Sequence, residues 1–110
     1  MQDSFLSISS KNGLKFIKEK DILYAISEGN YTTLYLINNQ QFISTKKLKD
    51  LTLVLSFGDF FRIHHSHLIN LHHLIEYKNG KRNYVVMKNG KELDVSKRKL
   101  SGFLNLFKKL

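Results

Sequence analysis

The chain contains no cysteine and no proline. Without cysteine it has neither a disulfide framework nor a thiolate metal site, which fits a cytoplasmic location. No run approaches the roughly 20 apolar residues of a membrane span. The N-terminus lacks the basic, apolar, small-residue succession of a signal peptide. A Gly-rich phosphate loop, a low-complexity stretch, a linker and a convincing internal repeat are all missing. At 110 residues, 42% of them hydrophobic, the chain suits one domain over residues 1–110, with a thin core.

Acidic residues are scarce in one part only. Residues 1–43 hold four lysines against four acids, whereas residues 44–110 hold fourteen Lys and Arg against five acids. The whole net charge of +9 therefore lies in the second segment. A uniformly basic surface would suggest solubility; a segregated one implies an anionic partner. That partner is nucleic acid or, less often, a membrane surface.

Alternating apolar residues and turn signals predict many short strands. These run over Ser4–Ser9, Gly13–Ile17, Ile22–Glu28, Tyr31–Ile37 and Gln41–Ser44, then Phe60–Ile63, Leu74–Lys78, Tyr84–Met87 and Lys91–Val95. Ile22, Tyr24 and Ile26 are expected on one face, as are Leu34 and Leu36. Turns are expected at Asn12-Gly13, Glu28-Gly29-Asn30, Asn38-Asn39, Asn79-Gly80 and Asn89-Gly90. Three Asn-Gly pairs favour antiparallel hairpins, since a parallel sheet needs crossover helices. Leu48, Leu51, Val54 and Leu55 have helical spacing, with Ser44 or Thr45 as the expected N-cap and Gly58 as the stop. One helical turn is expected over Ser66–Asn70. A last helix starts after Ser96, with Leu100, Phe103, Leu104, Phe107 and Leu110 forming one apolar stripe.

The least ordinary stretch is Phe61-Arg62-Ile63-His64-His65-Ser66-His67. All five histidines lie in it or just after it. A strand would put His65 and His67 on one face and His64 on the other. A metal site is disfavoured, because no acid interleaves and the surroundings are basic. Catalysis is disfavoured too, since Ser66 has histidine neighbours but no evident orienting acid. Exposed donors held between apolar anchors suit a polyanion better. Lys97-Arg98-Lys99 follow an N-cap serine, and Lys46-Lys47 begin the other helix. Cations there oppose the helix dipole, a placement that favours phosphate over stability.

Four blocks resemble the LytTR-type DNA-binding domain of bacterial response regulators over almost the whole chain. They are Asp21-Ile22-Leu23-Tyr24 with Glu28-Gly29-Asn30-Tyr31-Thr32-Thr33; Ser44-Thr45-Lys46-Lys47-Leu48-Lys49-Asp50-Leu51; Phe61 through Asn70; and Val95-Ser96-Lys97-Arg98. The resemblance implies a mostly-β fold of about ten short antiparallel strands in stacked sheets, with one or two short helices and a C-terminal amphipathic helix. It implies that loops enter successive grooves of double-stranded DNA at repeated promoter elements, often as a pair of protomers, to regulate transcription. By position the contacts include Asn30, Tyr31, His65, Lys97 and Arg98. Together with the basic residues and polar donors around them, the expected set becomes Asn30, Tyr31, Lys46, Lys47, Arg62, His64, His65, Ser66, Lys97 and Arg98. His65 stands where the family usually has Arg or Asn, and Lys97 where it usually has Arg, which bears on base choice.

The family's receiver domain does not fit in this length, so the chain is expected to be an excised effector domain or a stand-alone regulator. No enzyme activity, cofactor, metal or membrane partner is expected. The competing readings are a membrane-surface module using the last helix and an RNA-binding module.

Overall fold

The computed structural model describes residues 4–55 and 59–110. Among these it has ten strands, all paired antiparallel, and two α-helices. A two-stranded hairpin pairs β1 (Phe5–Ser10) with β2 (Gly13–Lys18). The central sheet has five strands: β3 (Ile22–Glu28), β4 (Tyr31–Leu36), β5 (Gln41–Ser44), β6 (Phe60–His64) and β7 (His67–Asn70). Their spatial order is β5-β4-β3-β7-β6. A third sheet is the meander β8 (Leu74–Lys78), β9 (Tyr84–Met87) and β10 (Glu92–Asp94). Helix α1 covers Leu48–Val54 and α2 covers Lys97–Leu104.

The five-stranded sheet is the middle layer, because its strands are apolar on both faces. Ile22, Ala25, Leu34, Leu36 and Leu68 face one core with Ile17, Leu48, Leu51 and Leu55. Leu23, Tyr24, Ile63 and Ile69 face the other, with Val85, Met87, Leu93, Val95 and Phe103. Burying each such aliphatic or Phe side chain contributes about 1.5–3 kcal/mol. Leu34 and Leu36 share a face as their alternation predicts. Ile22 does not share one with Tyr24 and Ile26: the pairing of β3 with β4 shifts register between Ile22 and Tyr24. The extra residue of this bulge turns Leu23 and Tyr24 to the same side.

Local signals placed most elements, with four corrections. The first hairpin pairs Ser10 with Gly13, so Lys11-Asn12 form its loop and not Asn12-Gly13. Ser66–Asn70 forms no helical turn, because His67–Asn70 is strand β7, paired with both β3 and β6; long-range pairing outweighed local preference there. The N-cap of α1 is Lys47, without a side-chain cap bond, and not Ser44 or Thr45. Helix α2 ends at Leu104, so the expected stripe runs past it. Phe103 is buried against the rings of Phe61 and Tyr77, whereas Leu104, Phe107 and Leu110 are largely exposed. The stop expected at Gly58 lies outside the described residues.

Asn70 closes β7 from within the core. Its Nδ2 donates to the Ile22 carbonyl at 2.9 Å and its Oδ1 accepts from the His72 amide at 2.9 Å. Both ends of a buried amide are thus satisfied, which fixes the β3–β7 register.

Candidate nucleic-acid interface

Register decides what meets at one end of the central sheet. Ser44 of β5 pairs with Thr32 of β4, and Thr32 pairs with Ser27 of β3. The Ser27 amide donates to the Ser66 carbonyl at 2.9 Å, beside the β6–β7 turn. The Ser96 amide donates to the Ile63 carbonyl at 2.9 Å, which brings the start of α2 to the end of β6. Three connections of the sheet and the start of α2, far apart in sequence, therefore meet at the same end. They are the β5 exit at Lys46-Lys47, the β3–β4 turn at Gly29-Asn30, the β6–β7 turn at His65-Ser66 and the α2 start at Lys97-Arg98.

The expected site residues fall along this edge with different exposure. Asn30 follows Gly29, whose φ of 61° is a left-handed conformation that favours glycine in so tight a turn. Tyr31 opens β4 and is 55% exposed. Lys46 and Lys47 are exposed and precede α1, instead of lying in its first turn. Their expected opposition to the α1 dipole is thereby weakened. Lys97 and Arg98 are exposed and do lie in the first turn of α2, where no acid accompanies them.

A cleft of about 270 Å³ opens between the β6–β7 turn and α2, lined by Arg62, His64, His65, Ser96, Arg98 and Lys99. All are basic or potential donors, and an acid is absent from the lining. Ser96 caps α2: its Oγ accepts from the Lys99 amide at 3.3 Å. Lys97 is not among the lining residues, whereas Lys99 is. The signal for Lys99 was present in the Lys97-Arg98-Lys99 run, but the run does not say which member faces the turn.

The histidines divide differently from a continuous strand. Strand β6 ends at His64, which pairs with His67, leaving His65-Ser66 as a two-residue turn. His65 is exposed and His64 half-buried. The rings of His64 and His67 stack at 4.5 Å, so His67 partners His64 and not His65. His64 Nδ1 accepts from the Ser66 amide at 3.0 Å, and His67 Nδ1–H donates to the Asp94 carbonyl at 3.0 Å. Burial pushes the His67 pKa below its ordinary value, an effect partly offset by the bond to the Asp94 carbonyl. His72 donates to Asp59 and His73 to the Lys20 carbonyl, so neither joins the edge. Among the described residues, no group of three or more His, Cys, Asp or Glu is placed to hold a metal ion.

Sequence reasoning missed one neighbour of the edge. Arg82 donates to Glu92 and to Asp94, both at 2.9 Å, and lies 4.1 Å from the centre of the Tyr84 ring. Glu92, and then Asp94, raise its pKa. Two of the five acids in the basic segment are thereby paired with one guanidinium next to His67. Alternation in β10 puts Glu92 and Asp94 on one face, but the partner comes from the β8–β9 connection, which has no periodicity to read.

Short antiparallel strands in three sheets, with loops and a helix start gathered on one basic edge, define a mostly-β domain that presents donors to a polyanion. The LytTr DNA-binding domain family model matches residues 12–108. The chain belongs to that family and is a DNA-binding domain. It is similar to the heme-containing CO-sensing transcriptional regulator RcoM 1 of Paraburkholderia xenovorans (strain LB400), 30% identical over 71 residues. Those residues are 64% of this chain and 26% of that protein, so the chain spans a minor part of the relative's length. A solved LytTr DNA-binding domain of a Bacillus cereus protein matches with a TM-score of 0.81 over 96% of this chain and 97% of the other. At 19% identity this likeness shows the fold, and it agrees with the expected mostly-β architecture. Among the described residues, no helix is long and apolar enough to cross a membrane.

Proposed function

We propose that residues 1–110 form one unit that binds double-stranded DNA sequence-specifically at repeated promoter elements, as a pair of protomers, to regulate transcription in the cytoplasm. It acts as the effector part of a two-component response regulator, behind a receiver domain, or as a stand-alone regulator. The single observation that carries this reading is the convergence of four polar or basic segments at one end of the five-stranded sheet. The Gly29-Asn30 turn with Tyr31 at its exit, and the His65-Ser66 turn, are able to enter grooves. Lys46-Lys47 and Lys97-Arg98 flank them and suit phosphates. Arg98 has the planar fork that reads guanine, whereas Lys97 is a point charge.

The test is a gel-shift panel of promoter repeats, random duplex, single strand and RNA, with liposome flotation beside it. Contact with roughly six phosphates predicts a log–log salt slope near −5. Repeats should bind more tightly than random duplex, with a two-protomer shift. Equal affinity for random duplex would remove the sequence specificity, and preference for RNA or anionic liposomes would move the function to one of the competing classes.

A further inference from the structure

We infer that Arg62 is a positioning residue that holds the His65 turn in its binding shape, and not itself a DNA ligand. This rests on the proposed contact at His65. Arg62 belongs to β6, where it pairs with Leu68. It is half-buried, and its Nε is buried without a hydrogen-bond partner among the described residues. The guanidinium is thus partly sunk, with Nε inside and Nη2 at the surface. From there Nη2 reaches outward and donates to the His65 carbonyl at 2.6 Å.

The turn has reason to need that bond. It has two residues and follows a register shift between Arg62 and His64, where strand pairing is locally lost. Among the described residues, the bonds outside the strand ladder that hold the turn include Arg62 to the His65 carbonyl, the Ser66 amide to His64 Nδ1, and the Ser27 amide to the Ser66 carbonyl. The first is charge-assisted and so stronger than a neutral bond. It also covers a carbonyl oxygen that would repel an approaching phosphate. The His65 side chain, by contrast, is exposed and makes no hydrogen bond to the described residues, so it is free to meet a base edge or a phosphate. Arg62 thus spends its reach on the backbone of the residue that makes the contact.

The test is a double-mutant cycle on promoter-repeat affinity with Arg62→Gln and His65→Ala. Arg62→Gln alone should weaken binding about ten-fold. In the His65→Ala background it should add little, and the salt slope of Arg62→Gln should stay at the native value. An undiminished loss in the His65→Ala background, or a slope reduced by about one, would make Arg62 a direct ligand and overturn the inference. The free domain gives a reading without DNA. Arg62→Gln should speed amide exchange at Ser66 and His67 while β3 and β4 stay protected. Unchanged exchange there overturns the inference whatever the duplex data show. Faster exchange in a domain that binds no duplex would uphold the positioning role and sink the proposed function instead. Arg62→Lys, which keeps the charge but lacks the planar fork, serves if Arg62→Gln does not fold. It should show the same faster exchange, and native exchange in it would count against the inference.

Discussion

The two helix starts look alike in sequence and differ in structure. Each has a hydroxyl residue followed by cations: Ser44-Thr45-Lys46-Lys47 before α1 and Ser96-Lys97-Arg98-Lys99 at α2. At α1 the Ser44 Oγ accepts from the Lys46 amide at 3.1 Å, a local turn outside the helix, and Asp50 sits in the first turn as the dipole favours. At α2 the serine caps a helix amide, and the first turn holds three cations and no acid. The difference teaches where electrostatic cost is concentrated. The helix start that opposes its own dipole is the one that borders the cleft beside His65. The one that obeys it only leads its cations past the end of β5.

The largest effect expected from this contrast is on stability. Phe103 is 1% exposed and anchors α2 against Phe61 and Tyr77. Phe103→Ala should cost about 3–5 kcal/mol in urea unfolding and should weaken DNA binding although every cation remains. Unaltered affinity in a destabilised domain would mean that α2 does not present its cations from a fixed position.

Next comes affinity. Lys97→Ala with Arg98→Ala should weaken duplex binding by roughly 1–3 kcal/mol and leave the melting temperature level or slightly raised, because two charges opposed to the dipole are gone. Lys46→Ala with Lys47→Ala should lower the salt slope with a smaller loss of discrimination between repeats and random duplex. Equal losses of discrimination at the two starts would erase the contrast.

The caps give a smaller difference. Ser96→Ala should cost about 1 kcal/mol of stability, whereas Ser44→Ala should cost clearly less, since it removes no helix cap. Chemical denaturation of both single variants checks this, and a larger cost at Ser44 would reverse the comparison.

Acidification tests the edge itself. His67 has a folded pKa below its unfolded value, so the folded domain binds fewer protons and loses stability as pH falls. The stability is fully present above the unfolded value of about 6.5 and declines as pH drops from there towards the lower folded value. His67→Gln should flatten the melting-temperature profile across that window. A profile unchanged by the substitution would assign the acid sensitivity to other groups.

How much of this was legible follows from the range of each interaction. Alternation placed β3, β4, β8 and β9 nearly at their observed ends, because adjacent strands need only a short turn and matched faces. The Asn38-Asn39 turn was readable for the same reason: Asn39 adopts a φ of 61°, which asparagine tolerates better than most residues. Strand β7 was not readable as a strand. Its identity comes from β3, more than forty positions earlier, and Asn70 bonding to the Ile22 carbonyl is a contact that no window of sequence contains. The bulge at Ile22 and Tyr24 escaped for a similar reason, since one added residue inverts a face without altering composition.

By itself the sequence determined the local alphabet of this protein: short strands, tight turns, a capped basic helix start, a histidine-rich stretch and a charge excess confined to residues 44–110. The four-block match to the LytTR pattern was also a property of sequence alone. Only the tertiary structure decided that Lys46, Asn30, His65 and Arg98 meet at one end of the central sheet. It also decided that His67 stacks on His64, that Arg62 bonds the turn carbonyl and that Arg82 pairs with two acids nearby. The physical reason is that propensity and alternation act over a few residues, whereas the order β5-β4-β3-β7-β6 is set by burial on both faces of one sheet. That burial is a sum over distant strands, and it alone brings the cations of separate segments to one edge.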